Sequence, residues 1–268
     1  GRLMERPQEV YGDLCRERGM FFHQDEQSLT VMGPLQAGDF HLTGAVSSQF
    51  ISGLLFALPL LGGNSHILIQ PPLESRPYVD LTQSALETFG VHTAWAGEGF
   101  LSVPGGQSYA PRDVAVEGDW SNGAFLLAMN ALGGQVEVTG LRPDSSQGDR
   151  EVTEHLEALV QGRPTIDLRD CPDLGPVLMA VAAACNGAEF TGTRRLAMKE
   201  SDRGAAMAAE LSAFGAHVTV EEDRITVDAA PPRPGPAPLR PQRPPGRHGP
   251  AAAVDADRRR DRGCPGGG

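Results

Sequence analysis

The chain has 268 residues, 40% of them hydrophobic and 6% aromatic, with a formal net charge of −11. That length holds one large or two medium domains with a buried core. Residues 229–268 hold eight Arg against three Asp, which leaves −16 on the first 228 residues and excludes general nucleic-acid or membrane-surface binding by that acidic body. Cys15, Cys171, Cys185 and Cys264 show neither metal spacing nor disulfide-framework density, which suits a reducing, cytoplasmic setting. No signal peptide and no charge-free apolar run of roughly 18 residues occurs.

Residues 7–18 have helical spacing and stop at Gly19; strands follow at Met20-Phe21-Phe22 and Leu29-Thr30-Val31. Over residues 46–63 two serines and a glutamine open an apolar run that closes on Gly62-Gly63. Ser47 or Ser48 is the expected N-cap, and Gly62 or Gly63 the left-handed stop. The run is apolar on nearly every face, so a helix buried all round is expected, loosened near its end by Pro59. A strand at residues 66–69 and an amphipathic helix at 78–89 follow, the latter stopped by Gly90.

The same pattern then recurs. Asp119 precedes an apolar helix at 123–132 that stops at Gly133-Gly134, then a strand at 135–139 and an amphipathic helix at 149–160. Pro172-Asp173-Leu174 leads into a helix at 175–185, a stop at Asn186-Gly187, a strand at 188–191 and a helix at 202–214. After Gly215 a hairpin closes the unit over residues 216–220 and 224–227. This is an internal repeat of roughly 70 residues, an α/β unit reused with its buried helix N-termini in equivalent places. The tail from residue 229 holds ten Pro and eight Arg, a composition that cannot continue the repeat and reads as disorder.

Several residues along this frame can carry chemistry. Lys199 is the single Lys of the chain, and Lys199-Glu200-Ser201-Asp202-Arg203 sets two cations and two carboxylates beside a helix N-terminus. That is either a site for handling acids and protons or a solvated first turn capped by Ser201 or Asp202. Asp173 reads as the cap of the third buried helix, as a carboxylate poised over a ligand, or as both. Ser75-Arg76-Pro77-Tyr78 is an ordinary helix start, or else Arg76 and Tyr78 add donors toward an anion near Ser47 and Ser48. Arg2 and Arg6 read locally as surface arginines. No catalytic-triad spacing, glycine-rich phosphate loop or paired-histidine metal motif is present.

Taken together, six segments resemble the enolpyruvyl transferase family, within it the 5-enolpyruvylshikimate-3-phosphate synthases. They are Ser47-Ser48-Gln49-Phe50, Ser75-Arg76-Pro77-Tyr78-Val79-Asp80, Val116-Glu117-Gly118-Asp119-Trp120-Ser121, Gln147-Gly148-Asp149, Pro172-Asp173 and Lys199-Glu200-Ser201-Asp202-Arg203. Each is weak singly; jointly, in family order along nearly all of residues 1–228, they are specific. The resemblance implies two α/β domains, each a threefold set of βαβαββ units around buried parallel helices, incomplete in this chain. Residues 1–116 would be most of the N-terminal, shikimate-phosphate-binding domain and 117–228 most of the C-terminal one, with 229–268 an aberrant tail.

The resemblance further implies transfer of the enolpyruvyl group from phosphoenolpyruvate to the 5-hydroxyl of shikimate 3-phosphate, with release of phosphate. This is a step of the shikimate pathway and of aromatic amino acid biosynthesis, expected in the cytoplasm and from a monomer. No metal or organic cofactor, nucleic acid or membrane is implied. Position by position, Ser47, Ser48, Gln49, Ser75, Arg76, Tyr78, Asp173 and Lys199 match the positions that hold shikimate 3-phosphate. Arg2, Gln49 and Arg203 match those that hold phosphoenolpyruvate. Asp173 is the expected base toward the 5-hydroxyl, and Glu200 the group that manages protons at the phosphoenolpyruvate methylene.

The chain departs from the family pattern in three places. Arg195 stands where many members have Asn. The N-terminal portion, with a lysine that helps bind phosphoenolpyruvate, falls before Gly1. The C-terminal Asp-His-Arg motif is missing, but a one-base shift over residues 242–250 permits Asn-Asp-His-Arg-Val-Ala-Met-Ala, so the tail reads as frameshifted. An inactive fragment is the resulting expectation. Two other readings are the sister UDP-N-acetylglucosamine enolpyruvyl transferase, against which the paired serines and the Lys199–Arg203 motif argue, and a non-catalytic substrate-binding remnant.

Overall fold

A computed structural model describes residues 8–45, 47–197 and 202–229. Helix α1 (Glu9–Glu17) leads into an antiparallel hairpin of β1 (Phe21–Gln24) and β2 (Leu29–Met32). Then come β3 (Asp39–Thr43), α2 (Ser48–Ala57), β4 (Ser65–Gln70), α3 (Arg76–Thr88), β5 (Ala94–Gly97) and β6 (Phe100–Val103). Their sheet has the order β3-β4-β6-β5, with β3 and β4 parallel and the other pairs antiparallel.

The second half begins with α4 (Trp120–Ala131) and α5 (Val152–Gln161). It continues with β7 (Thr165–Asp167), α6 (Gly175–Ala184), β8 (Ala188–Thr191), α7 (Arg203–Ala213), β9 (Val218–Val220) and β10 (Arg224–Val227). Its sheet has the order β7-β8-β10-β9, again one parallel and two antiparallel pairs. The β-α-β-α-β-β unit is therefore built twice with the same strand order, and the repeat seen in the sequence is a repeat of topology. Each copy gathers its own apolar cluster: Phe40, Ile51, Leu55, Ile67 and Leu101 in the first, Leu159, Leu174, Leu178, Phe190 and Ile225 in the second.

Helix boundaries follow the chemistry of caps and stops. Ser47 and Asp119 cap α2 and α4 by accepting backbone N–H groups of the first turn. Gly19, Gly90, Gly133, Gly187 and Gly215, all with φ between 66° and 91°, terminate α1, α3, α4, α6 and α7. The end of α2 differs from expectation. Neither Gly62 nor Gly63 is left-handed; the helix tightens instead into a 3₁₀ turn at Leu58–Leu60, where Pro59 fits, and Leu61 is extended.

Two other expectations are corrected. Residues 135–139 alternate but form no strand, because no described strand lies beside them to complete a ladder; the Asn130 side chain brackets Val136 instead, with hydrogen bonds of 2.6 and 2.8 Å. Burial all round holds for α6, where Val177 through Ala183 are almost wholly covered apart from Ala180. It fails for α2 and α4, where Phe56, Phe125 and Met129 are each more than half exposed, since among the described residues nothing packs on those faces. No described helix is long and apolar enough to cross a membrane.

Candidate functional site

The chemistry-bearing residues cluster where helices begin. Ser47 is extended (φ −157°, ψ 129°), and its hydroxyl accepts the Gln49 N–H at 3.3 Å; the Ser48 side chain is buried while Gln49 is exposed. One turn further, the Ser52 and Thr82 hydroxyls are hydrogen-bonded at 2.7 Å, and Thr82 donates to the Tyr78 carbonyl at 2.9 Å. Ser48 lies one turn before Ser52, and Tyr78 one turn before Thr82. The spacing therefore puts the starts of α2 and α3 side by side at one end of the unit.

Ser75, the N-cap of α3, joins the two halves. Among described residues it is the one non-glycine with positive φ (φ 58°, ψ 37°), a strained conformation held here by contacts from the second half. Its backbone N–H and its hydroxyl both donate to the Arg169 carbonyl, at 3.1 and 3.3 Å, and the hydroxyl accepts from Arg195 Nη1. Arg195 is itself buried, with Nε 3.7 Å from the Glu74 carboxylate. Burial pushes the Glu74 carboxyl above its ordinary value against the pull of Arg195, and it pulls the Arg195 guanidinium down.

A second bridge lies close by. The Tyr78 hydroxyl donates to Asp149 Oδ2 at 2.8 Å, while Asp149 Oδ1 is buried with no hydrogen-bond partner in the structure. Burial raises the Asp149 carboxyl to about 6; the Tyr78 hydrogen bond opposes this, and the charge of Asp173 adds to it. The Tyr78 phenol is likewise raised, first by burial and then by the charges of Asp149 and Asp173. Asp149 is set by its neighbour Gln147, whose side chain accepts from the Trp120 N–H at 2.9 Å and donates to the Gly118 carbonyl at 3.0 Å. The Gly118-Asp119-Trp120 and Gln147-Gly148-Asp149 segments are thereby fastened together.

Asp173 sits in the 3₁₀ turn Pro172–Leu174 ahead of α6 and accepts from Arg203, the first residue of α7. It does not cap α6, whose N-cap is Leu174 without a side-chain bond, so the capping role read from the sequence is corrected. Asp202 does cap α7, accepting the Ala205 N–H at 2.9 Å.

Arg76 points elsewhere. Its guanidinium lies 4.7 Å over the Trp95 ring and 3.5 Å from Asp80, on an exposed face of α3 outside the cluster that holds Ser75 and Tyr78. Arg2, Lys199 and Glu200 lie outside the described residues, as does residues 230–268 of the tail. Sequence reasoning assigned no role to Glu74, Asp149 or Arg169 and marked Arg195 only as a departure; their partners are distant in the chain, and Asp149's place in a quoted motif was the one available signal. An apolar cavity of about 490 Å³ under α1 and its hairpin, lined by Tyr11, Leu14, Phe22 and Leu54 among others, shares no residue with this cluster. Of the described side chains, Glu151, His155 and Cys171 bring potential metal-ligand atoms within 4.8 Å of one another, a grouping that the cysteine spacing did not reveal.

Known proteins match this architecture. A family model described as EPSP synthase (3-phosphoshikimate 1-carboxyvinyltransferase) matches residues 20–239. The 3-phosphoshikimate 1-carboxyvinyltransferase of Brachyspira hyodysenteriae is 38% identical, over 85% of this chain and 59% of its own length. That of Clostridium kluyveri is 40% identical, over 85% of this chain and 58% of its own. The chain thus spans less than two thirds of these relatives. Among solved structures, an EPSP synthase from Acinetobacter baumannii superposes with a TM-score of 0.60 at 22% identity, covering 85% of this chain and 58% of that one. The enolpyruvyl transferase NikO from Streptomyces tendae gives 0.57 at 13% identity, covering 83% and 58%; likenesses at these identities speak to the fold.

Proposed function

The chain belongs to the EPSP synthase family, and from that premise we propose that it provides much of the site for enolpyruvyl transfer from phosphoenolpyruvate to shikimate 3-phosphate, with release of phosphate. Residues 1–116 would serve chiefly the shikimate phosphate and residues 117–228 the other side of the cleft, in a cytoplasmic, monomeric enzyme. The observation that supports this best is the convergence of Tyr78 and Ser75 from the first half with Asp149, Asp173 and Arg203 from the second. All five stand at or just before a helix start, where free N–H groups and the helix dipole favour anions.

In this reading the Ser48 and Ser75 hydroxyls and Tyr78 face the 3-phosphate and the ring. Asp173 removes the proton from the 5-hydroxyl as its oxygen bonds C2 of phosphoenolpyruvate, while a proton is delivered to C3. The C2–O bond to phosphate then breaks, C3 gives up a proton, and the C2=C3 double bond re-forms in the enol ether product; Glu200 is the residue assigned to the C3 proton. Arg203, which donates to Asp173, can also pair with the incoming anion, so substrate competes with the Asp173 carboxylate for it. Titration of shikimate 3-phosphate into the chain tests the binding half, and phosphate release on addition of phosphoenolpyruvate to a full-length enzyme carrying these residues tests the chemistry. In a full-length enzyme carrying these residues, Asp173→Ala should cut turnover by about 10²–10⁴ while shifting shikimate 3-phosphate affinity far less. Equal losses in both would remove Asp173 as the base, and no binding by the parent chain would remove the reading.

A further inference from the structure

Glu151, His155 and Cys171 stand together beside the substrate cluster, the first two at the start of α5 and the third at the turn before α6. Glu151 ends the 3₁₀ turn Gly148–Glu151 that opens α5, and His155 follows four residues later on the same helix face. Cys171 begins the turn that leads to Asp173 and is fully buried. His155 Nε2 lies 3.7 Å from Glu151 Oε2 and 3.9 Å from Cys171 Sγ.

These separations are too long for strong hydrogen bonds but close to those of a coordination shell. Bonds of about 2.0–2.3 Å at tetrahedral angles put neighbouring ligand atoms about 3.3–3.6 Å apart, so these two pairs need to close by only about half an ångström. Thiolate, imidazole and carboxylate together form a borderline donor set that suits Zn²⁺ or Co²⁺ rather than Mg²⁺ or Ca²⁺. The Glu151 side chain is 53% exposed and that of His155 20%, which gives a cation a way in and leaves a fourth position for water. Burial first, and then the negative charges of Glu151, Asp149, Asp170 and Asp167, push the Cys171 thiol up, so the sulfur ionises only as a cation binds, while the same carboxylates attract that cation.

We propose that Glu151, His155 and Cys171 form a binding site for a divalent cation of the zinc and cobalt class, completed by one water. On binding, the Cys171 S–H bond breaks as the Sγ–metal bond forms, the proton leaves to solvent, and no electrons change hands. The ion would clip the start of α5 to the turn before α6. Asp149 lies two residues before one ligand and Asp173 two residues after another, so the clip would fix the backbone that carries both.

The test is titration of Co²⁺ into the reduced 268-residue chain, followed by the near-ultraviolet thiolate-to-cobalt band. The expected result is one equivalent of cobalt with that band, abolished by Cys171→Ser and retained by Cys15→Ser, Cys185→Ser and Cys264→Ser. His155→Ala should move the midpoint to at least about tenfold higher cobalt, and so should Glu151→Gln, a surface change that leaves folding intact should Cys171→Ser disturb it. No band in the parent chain, a band that survives Cys171→Ser, or affinity unchanged in both His155→Ala and Glu151→Gln would overturn the proposal.

Discussion

The Glu74 carboxylate and the Arg195 guanidinium face each other at 3.7 Å, both buried, one from each half of the chain. Removing one partner of such a pair strands the other charge, whereas removing both does not. Arg195→Ala should therefore lower stability at pH 7.5 by about 3–5 kcal/mol, and Glu74→Gln with Arg195→Gln should recover most of the loss. The sign of the pH dependence follows from Glu74, whose folded carboxyl is already raised by burial. Its favourable neutral form is fully present below the unfolded value and is lost as pH rises through the folded one, so the Arg195→Ala deficit should shrink on acidification. Urea unfolding of the three proteins at two pH values checks this.

Asp149 gives a pH window that can be placed. A carboxyl raised from 3.8 to about 6 in the fold penalises the ionised protein by about 3 kcal/mol above pH 6. The contribution is complete below the unfolded value, declines as pH rises, and is gone once pH has passed the folded value. Asp149→Asn mimics the neutral form. Its stability advantage over the parent should be full above pH 6 and vanish by about pH 4. An advantage independent of pH would contradict it.

Tyr78→Phe removes the hydroxyl that donates to Asp149 Oδ2, on a carboxylate whose Oδ1 already lacks a hydrogen-bond partner. A loss of about 1–3 kcal/mol at neutral pH is expected, together with a further upward move of the Asp149 titration, read by carbon NMR of labelled aspartate. Combined with Asp149→Asn, the Tyr78→Phe change should cost much less.

Ser75 separates strain from hydrogen bonding. Ser75→Ala keeps the left-handed strain and loses the hydroxyl that Arg169 and Arg195 engage; Ser75→Gly loses the same hydroxyl but relieves the strain. The glycine variant should be the more stable of the two by about 1 kcal/mol in thermal or urea melts. Equal stability would show that the backbone at this position is not strained.

What was legible in the sequence was local. Caps such as Ser47, Asp119 and Asp202 and stops such as Gly90 and Gly215 act on residues within a turn of themselves, so their pattern survives without knowledge of the fold. Topology was legible because the same local pattern is written more than once. What escaped depends on partners far along the chain. Residues 135–139 have a strand's alternation, but a ladder needs a neighbour. Apolar composition in α2 and α4 says that a face can be buried, not that something lies on it. Ser75 and Arg195 are 120 residues apart, and Cys171 and His155 are 16, so neither contact has a spacing to read. Asp173 looked like a cap because it precedes a helix, yet its carboxylate is turned to Arg203.

The joint between the halves, as described, is made of a strained serine, a phenol on a carboxylate and an ion pair, while the apolar packing is gathered inside each half. Parting such a joint uncovers polar surface, whose hydration lowers heat capacity, whereas unfolding either core uncovers apolar surface and raises it. The two events thus respond to different variables. Warming would melt the cores and scarcely register the joint. Ionic strength and dissolved anions would loosen or refasten the joint while the cores stay intact, so the contact between the halves would answer to the solutes around it rather than to temperature.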